Sequence, residues 1–252
     1  MFEALISIPF FVCWGSFLNV VGYRLIHEKS MFAPRSQCTH CKHTLAWYDL
    51  IPIVSYIILK GRCRYCHASI SYLYPLIECI TATIMPLLLV RLAPILFASY
   101  FIFFSALIVT IRTDLDRMLI SRFVTLFLIP LAFILSCFGL LFISPLESFL
   151  GALFGYGILW LIGTIFERVT KKTGIGQGDL DLLAFIGSFT GIYGAWFSLM
   201  FGSIIGSCIG GVYIIIAKQN QQFKIPFGPF LGLGAMSYVL FHQEILRRLF
   251  RI

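Results

Sequence analysis

The sequence predicts an all-α polytopic membrane protein with about eight transmembrane helices and one small polar insert. Of its 252 residues, 59% are hydrophobic and only 12% are charged, and the mean hydropathy is +0.92. A globular surface carries more charge than this, so a soluble enzyme, a disulfide-rich secreted domain and a disordered chain are excluded. Because one crossing needs about 20 apolar residues, the chain has room for about eight crossings and the insert.

Apolar runs that end at charges, prolines or glycines predict the individual spans. They lie near residues 4–26, 74–90, 94–111, 123–143, 148–166, 180–190, 192–217 and 226–243. The run 180–190 is too short to cross a bilayer alone, so we expect a half-buried or strongly tilted helix there. Three domains are predicted: a first transmembrane helix (1–26), the insert (27–73) and a membrane bundle (74–252).

Basic residues predict which side of the membrane each loop faces. The 19 Lys and Arg residues outnumber the 11 Asp and Glu residues, an excess that in a membrane protein marks cytoplasmic loops and requires no nucleic-acid partner. A cytoplasmic insert puts the loops 112–122 and 167–179, with Lys218 and Lys224, on the cytoplasmic side. The C-terminal tail then falls outside, so we expect an interfacial amphipathic helix there. Its basic residues are Arg247, Arg248 and Arg251.

Two CxxC pairs in the insert predict a metal site. Cys38-Thr39-His40-Cys41 and Cys63-Arg64-Tyr65-Cys66 are separated by 21 residues, a spacing typical of zinc-ribbon sites with four thiolate ligands. Disulfides are the competing interpretation, but a cytoplasmic insert lies in a reducing compartment, which favours thiolates. The neighbouring His40, His43 and His67 are alternative ligands that the paired CxxC symmetry leaves as spectators. The predicted zinc ligands, which would fold an insert with little core of its own, are Cys38, Cys41, Cys63 and Cys66.

A few acidic side chains lie at the ends of apolar spans: Glu78, Asp114, Asp116, Asp179 and Asp181. A carboxylate in such a place is energetically costly and indicates a functional site. Asp114 and Asp179 both belong to loops on the cytoplasmic side, so they can reach one site. Two neighbouring carboxylates share one proton, and such a pair can activate water for peptide hydrolysis. The alternative, which the spacing leaves open, is that the aspartates cap helices or pair with Arg112, Arg117 and Arg122.

An ordered set of motifs runs along most of the chain. Besides the two CxxC pairs, it comprises Gly15-Ser16-Phe17-Leu18-Asn19-Val20-Val21, Trp47-Tyr48-Asp49-Leu50-Ile51-Pro52, Tyr74-Pro75-Leu76-Ile77-Glu78, Asp114-Leu115-Asp116, Gly176-Gln177-Gly178-Asp179 and Pro226-Phe227-Gly228-Pro229. A lone GxGD motif is weak evidence, whereas the ordered set is specific. The chain resembles the type IV prepilin leader peptidases, which belong to the GxGD class of membrane aspartic proteases.

This resemblance implies a function, a location and a set of site residues. It implies that Asp114 and Asp179 are the catalytic aspartates and that Asp116 is a non-catalytic neighbour. Family members lie in the bacterial inner membrane and cut the leader from prepilins and pseudopilins on the cytoplasmic side. Many then methylate the new N-terminal amine with S-adenosylmethionine, an activity associated with the zinc-bearing insert. Glu78 is our candidate for the methyl-donor site.

Two rival functions stay open at the level of sequence. The first is a peptidase without methylation, since Leu73 stands where an arginine is common and Ala82 where the family usually has glycine. A third departure, Asp181 in place of a lysine that often follows the GxGD motif, leaves the aspartate pair intact. The second rival is a transporter or assembly scaffold with structural zinc, but only one short span is found and no inverted repeat typical of transporters.

Overall fold

Helices account for nearly all of the regular structure. The computed structural model describes residues 2–31, 35–171, 174–217 and 226–250. Within these ranges lie nine α-helices, one short 3₁₀ helix (Trp47–Leu50) and two isolated β-bridges. The α-helices are α1 (Phe2–Ile26), α2 (Val54–Ile58), α3 (Leu73–Arg91), α4 (Pro94–Arg117), α5 (Arg122–Cys137), α6 (Pro145–Thr170), α7 (Gln177–Ala217), α8 (Gly228–Leu240) and α9 (His242–Phe250).

Five described helices, α1, α3, α4, α6 and α7, are long and apolar enough to cross a membrane, which confirms an all-α polytopic protein. Two predicted spans correspond to shorter apolar helices, α5 with 16 residues and α8 with 13. The span 123–143 was predicted too long, because α5 ends at Cys137 and Gly139 turns the chain with a φ of 68°. The span 226–243 was also predicted too long, since α8 ends at Leu240.

Helix α4 continues past its predicted end to Arg117, so the prediction of a loop over 112–122 is wrong for the first half of that range. Arg112 and Asp116 lie one helical turn apart and form a 2.8 Å ion pair, which lets a charged turn continue the helix. The side chain of Asp114 therefore projects from a helix and not from a loop.

The loop predicted over 167–179 also begins as helix, because α6 continues to Thr170. The helix ends only at Lys171, which has a φ of 55° and donates its N–H to the carbonyl of Glu167 at 2.9 Å. Lys218 and Lys224 lie outside the described residues. Their placement on the cytoplasmic side stays a prediction.

The C-terminal tail forms the helix α9, which an ion pair joins to the C-terminal end of α3. Glu244 accepts a 2.6 Å hydrogen bond from Arg91 in an exposed ion pair. Arg247 is exposed, whereas Arg251 and the side chain of Arg248 lie outside the described part of the chain. The interfacial position of this helix stays a prediction.

The long helix α7 is broken by a chain reversal at Gly191. This residue has φ 71° and ψ −174°, which divides α7 into a first arm (177–190) and a second arm (192–217). Gly178, at the start of the first arm, lies against Ile120, which in turn lies against Gly228 at the start of α8. Gly206, in the middle of the second arm, lies against Phe230, also at the start of α8. In a straight helix Gly178 and Gly206 would be about 40 Å apart, so the two arms must run back along each other. The predicted break between two spans falls at this reversal.

Replacing Gly191 with alanine is expected to destabilise the protein by about 1–3 kcal/mol. The reason is backbone strain, since the nearest atom to a new Cβ lies 3.5 Å away and does not clash. The matched control is Gly157→Ala in α6, where a new Cβ meets no described atom within 4 Å. Thermal unfolding in detergent should show a lower midpoint for Gly191→Ala only. Equal midpoints for the two variants would contradict the reversal.

Several helices meet at the end of the bundle that carries the insert, which we call the insert end. Here α1, α4 and α6 end, and α3, α5, α7 and α8 begin. Asn19 of α1 links three of these helices: its Oδ1 accepts a 3.1 Å hydrogen bond from Arg112, and its Nδ2 donates a 3.0 Å bond to the carbonyl of Tyr74. Gly22 permits the close approach, because a Cβ there would lie 3.0 Å from Arg112. The predicted site residues therefore all lie at the insert end.

Candidate functional site

Asp114 lies in the last turns of α4 at the insert end, and it is only 4% exposed. Its Oδ2 accepts a 2.9 Å hydrogen bond from the backbone N–H of Gly228, at the start of α8. A carboxylate that accepts a bond from a backbone donor is held in a fixed orientation. The contact between α4 and α8 thus presents one oriented acid.

Asp179 lies in the first turn of α7, directly after the glycine-rich segment. Its N–H donates a 3.1 Å hydrogen bond to the carbonyl of Gly176, and a Cβ on Gly176 would lie 3.4 Å from Asp179 Oδ2. Asp114 is near enough for the two carboxylate charges to interact. Within the described residues neither aspartate forms an ion pair. The structure therefore brings together two unpaired acids.

Ile120 fills the space between the segments that hold these acids. A Cβ on Gly178 would lie 2.9 Å from Ile120 Cβ, and a Cβ on Gly228 would lie 3.5 Å from Ile120 Cδ1. The same Cβ on Gly228 would lie only 2.7 Å from Asp114 Oδ2. Two glycines thus permit the approach of α7 and α8 to the end of α4.

The neighbouring aspartates form ion pairs. Asp116 Oδ2 accepts a 2.8 Å hydrogen bond from Arg112, and Asp181 Oδ2 accepts one of 2.8 Å from Arg122. Pairing with arginine, the alternative that the sequence left open, therefore applies to Asp116 and Asp181 and not to Asp114 and Asp179. Asp181, which stands where a lysine is common, has its charge balanced by Arg122.

The cysteines of the two CxxC pairs form one group. Their four Sγ atoms lie within 4.8 Å of one another, and those of Cys38 and Cys66 are 3.8 Å apart. A tetrahedral zinc ion with Zn–S bonds of about 2.3 Å separates its sulfurs by about 3.8 Å, so the group fits this metal. A disulfide would need an S–S distance of about 2.05 Å. Among the described side chains, the group contains no histidine.

The two CxxC loops repeat one backbone geometry. In each loop the residue after the second cysteine, Lys42 or His67, has a positive φ and donates its N–H to the carbonyl of the first cysteine at 3.0 Å. Burial opposes ionisation of the Cys38 thiol, but the backbone N–H groups of Cys41 and His40 and the adjacent thiols lower its pKa to about 6. The backbone N–H of Ala68 lowers the pKa of Cys66, but desolvation and the adjacent thiols raise it to about 11. The four thiols therefore oppose one another's ionisation, and a bound metal ion would favour the thiolate form of each.

A cavity of about 500 Å³ lies between the insert and the helices α1, α3 and α4. Glu78 lines it, is 5% exposed, and accepts a 2.8 Å hydrogen bond from the N–H of Ile53 in the insert. Ile53 has φ 60° and ψ −52°, a rare conformation for a β-branched residue. This hydrogen bond from Ile53 to Glu78 thus connects the insert to α3 of the bundle. The structure does not bring Glu78 to the aspartate pair, since neither Asp114 nor Asp179 lines the cavity.

The sequence analysis assigned no function to three residues whose contacts help to build the site. Two of them, Gly228 and Asn19, lie within the family motifs, and an asparagine alone in an apolar run itself indicates a functional position. Asp49 lies in the motif between the CxxC pairs and accepts a 2.8 Å hydrogen bond from Arg64. No pattern in its own segment predicts that contact.

Two family models match the chain. Residues 10–92 match the Bacterial Peptidase A24 N-terminal domain, and residues 101–215 match the Type IV leader peptidase family. No solved structure matches the chain. The family evidence therefore comes from sequence, and it spans most of the chain.

Three relatives named prepilin leader peptidase/N-methyltransferase are similar over nearly their whole length. The one from Aeromonas hydrophila is 33% identical over 260 residues, covering 92% of this chain and 89% of the relative. The one from Bacillus subtilis (strain 168) is 32% identical, covering 92% of each chain. The one from Stutzerimonas stutzeri is 31% identical, covering 92% of this chain and 88% of the relative. On this similarity, the chain belongs to the type IV leader peptidase family.

Proposed function

We propose that this chain is a membrane aspartic endopeptidase that removes the leader peptide of type IV prepilins and pseudopilins. The observation that carries the proposal is the pair Asp114 and Asp179, two neighbouring acids at helix ends without ion-pair partners in the described chain. The name of the relatives supports the same activity. Incubation of the purified protein with a full-length prepilin should release the leader. An intact prepilin would contradict the proposal.

The two aspartates would act together as a general acid and a general base. Two adjacent carboxylates do not both ionise cheaply, so one keeps a proton while the other accepts a proton from water. The water oxygen attacks the scissile carbonyl carbon, the protonated acid hydrogen-bonds to the carbonyl oxygen, and a proton finally passes to the leaving amine. The Gly228 N–H would hold the Asp114 carboxylate in position during these steps.

Replacing Gly228 with alanine is expected to lower the cleavage rate by about 10–100-fold. The new Cβ would lie 2.7 Å from Asp114 Oδ2, so the carboxylate or the start of α8 must move and the hydrogen bond is lost. The matched control is Gly211→Ala, since a Cβ there meets no described atom within 4 Å. Initial rates of leader release at saturating prepilin provide the measurement. Equal rates for the two variants would show that cleavage does not depend on this contact.

We also propose that the insert, residues 27–73, is a zinc-binding domain with the four cysteines of the CxxC pairs as its ligands. The spacing of the sulfurs supports zinc, and so does the small core, in which Cys63 and Leu73 are the only buried hydrophobic residues among those described. Zinc would supply the cross-link that folds this domain. No step of hydrolysis runs through the metal.

For the membrane arrangement, we propose eight segments: α1, α3, α4, α5, α6, the two arms of α7, and α8. The reversal at Gly191 supports two segments within α7. The three domains are then the first span (1–26), the insert (27–73) and the bundle (74–252), in the bacterial inner membrane with the insert end in the cytoplasm. The excess of basic residues near the insert supports this orientation.

We infer that the chain also methylates the N-terminal amine that cleavage exposes, with S-adenosylmethionine as the methyl donor. The name of the relatives and the presence of the cysteine group support this activity. Leu73 and Ala82, which depart from the residues common in the family, still support the alternative of a peptidase without methylation. Membership of the family argues against a transporter or scaffold. Incorporation of labelled methyl groups into cleaved pilin is the expected result. A wild-type protein that cleaves but transfers no methyl group would favour the peptidase-only alternative.

A further inference from the structure

The cavity beneath the insert takes no part in the proposed hydrolysis. Its volume of about 500 Å³ falls in the range of about 300–1,000 Å³ that is usual for small-molecule sites. Helices α1, α3 and α4 line one side and the insert lines the other, and the aromatic rings of Tyr23, Tyr56 and Tyr74 are among its walls. The cavity is therefore large enough, and apolar enough, for an organic ligand of cofactor size.

Asp49 contributes an unsatisfied acceptor to this cavity. Its side chain is only 2% exposed, and Oδ1 accepts a 2.8 Å hydrogen bond from Arg64. No described group donates to Oδ2, although that oxygen is buried. A buried carboxylate oxygen without a donor is costly and rare. Because Asp49 lines the cavity, a donor on a bound ligand would satisfy it.

Acidic and basic residues both line the cavity, and Arg112, the buried base among the described lining residues, already forms an ion pair with Asp116. The acidic side chains of Glu78 and Asp49 are buried. The basic residues Lys29, Arg35 and Lys42 line the cavity as well, but they are exposed. A complementary ligand has a positive charge and hydroxyl donors at its centre and a negative group at one end.

We propose that this cavity binds S-adenosylmethionine, with Asp49 Oδ2 accepting a ribose hydroxyl and Glu78 facing the sulfonium. An acidic side chain is a common partner of ribose hydroxyls in nucleotide sites. The carboxylate of the donor's amino-acid part would lie among the exposed lysine and arginine side chains. This proposal rests on the methyltransferase function proposed above, and it assigns that function a place separate from the aspartate pair.

The chemistry of methyl transfer fits this arrangement. The neutral N-terminal amine of the cleaved pilin would attack the methyl carbon in line with the sulfur. A C–N bond forms while the C–S bond breaks, the electron pair of that bond stays on sulfur, and the amine gives its extra proton to water. The sulfur becomes neutral, so its attraction to the Glu78 carboxylate is lost in the product. Glu78 would therefore favour the donor over S-adenosylhomocysteine.

The proposal also gives the cysteine group a part in donor binding. Cys38 and Cys63 line the cavity, and the chain between the two CxxC pairs carries both Asp49 and Ile53. The N–H of Ile53 in turn holds Glu78. Loss of the metal would thus displace both acidic contacts without touching Asp114 or Asp179.

Binding of two probes, S-adenosylmethionine and S-adenosylhomocysteine, to the purified full-length protein tests the proposal by calorimetry without any pilin. Asp49→Asn is expected to weaken both probes about tenfold, because both carry the ribose. Glu78→Gln is expected to weaken S-adenosylmethionine about tenfold and the neutral product less than about twofold, since glutamine still accepts the Ile53 N–H. The matched control Glu167→Gln changes an exposed carboxylate at the end of α6 and should leave both affinities unchanged.

Wild-type affinity for both probes in Asp49→Asn and Glu78→Gln would overturn the proposal. If such variants also methylate pilin, the donor site lies elsewhere and the methyltransferase function stands. A wild-type protein that neither binds the donor nor methylates pilin would overturn both. Ultraviolet cross-linking of labelled donor to the wild-type protein needs no variant: label on peptides with Tyr23, Tyr56 or Tyr74 supports the site. Label confined to α5–α8 contradicts it.

Discussion

An Asp114→Asn or Asp179→Asn protein is expected to lose prepilin cleavage, with the rate falling by about 10³-fold or more. Asparagine keeps the shape of the side chain but supplies neither a base nor the shared proton. At position 114 the amide oxygen can still accept the N–H of Gly228, so the contact between α4 and α8 survives. Leader release is measured by mass spectrometry, and thermal unfolding shows that each variant is folded.

Asp116→Asn is the matched control, because Asp116 lies on the same helical turn but is paired with Arg112 and partly exposed. Its loss of cleavage should stay below about tenfold, because Asp116 is neither the base nor the acid of the proposed mechanism. An Asp179→Asn protein should still methylate a pilin that has already been cleaved. Near-normal cleavage by either variant of the pair would show that the two-carboxylate mechanism is wrong.

Replacing one cysteine of the group by serine, as in Cys63→Ser, is expected to reduce bound zinc from about one ion per chain to none. Three thiolates do not complete a tetrahedral site, and the insert has few buried apolar side chains to hold it together. The insert should then be cut by protease. Cys137→Ser is the matched control, since Cys137 lies at the far end of α5. Metal analysis of protein purified without chelator and limited proteolysis are the two measurements.

The same cysteine variants are expected to lose more methylation than cleavage. Methyl transfer needs an amine aimed at a bound sulfonium, whereas hydrolysis needs only the aspartate pair. Equal losses of both activities across all insert variants would contradict this separation. A protein with no zinc and two intact disulfides would overturn both the metal site and the cytoplasmic placement of the insert.

The helical fold could be predicted because its signals are strong and local. Apolar runs of about 20 residues have few alternatives to a membrane helix, and a glycine marks the observed reversal at Gly191. The end of α4 could not be predicted in the same way. The charges of Arg112 and Asp116 interrupt the apolar run, yet they neutralise each other within the helix. A hydropathy pattern counts such charges separately and does not include their pairing.

The spacing of the cysteines in the sequence predicts the cysteine group. The hydrogen bonds that hold Asp114 and Glu78 in place join distant parts of the chain, so the sequence does not predict them. Gly228 lies far along the sequence from Asp114, and only the packing of α8 on α4 shows that they bond. The same holds for Ile53 and Glu78, which come from different predicted domains. The sequence motifs therefore mark most of these residues as functionally important. What each residue does becomes clear only from its contacts in the folded chain.

The mass of a pilin's N-terminus, after incubation of prepilin with the purified protein and labelled S-adenosylmethionine, tests the central claim most directly. We expect a product that begins directly after the leader and carries one labelled methyl group on its N-terminal amine. The Asp179→Asn protein should return the prepilin intact under the same conditions. A folded, zinc-loaded wild-type protein that also returns the prepilin intact would contradict the assignment of Asp114 and Asp179 as a peptidase pair.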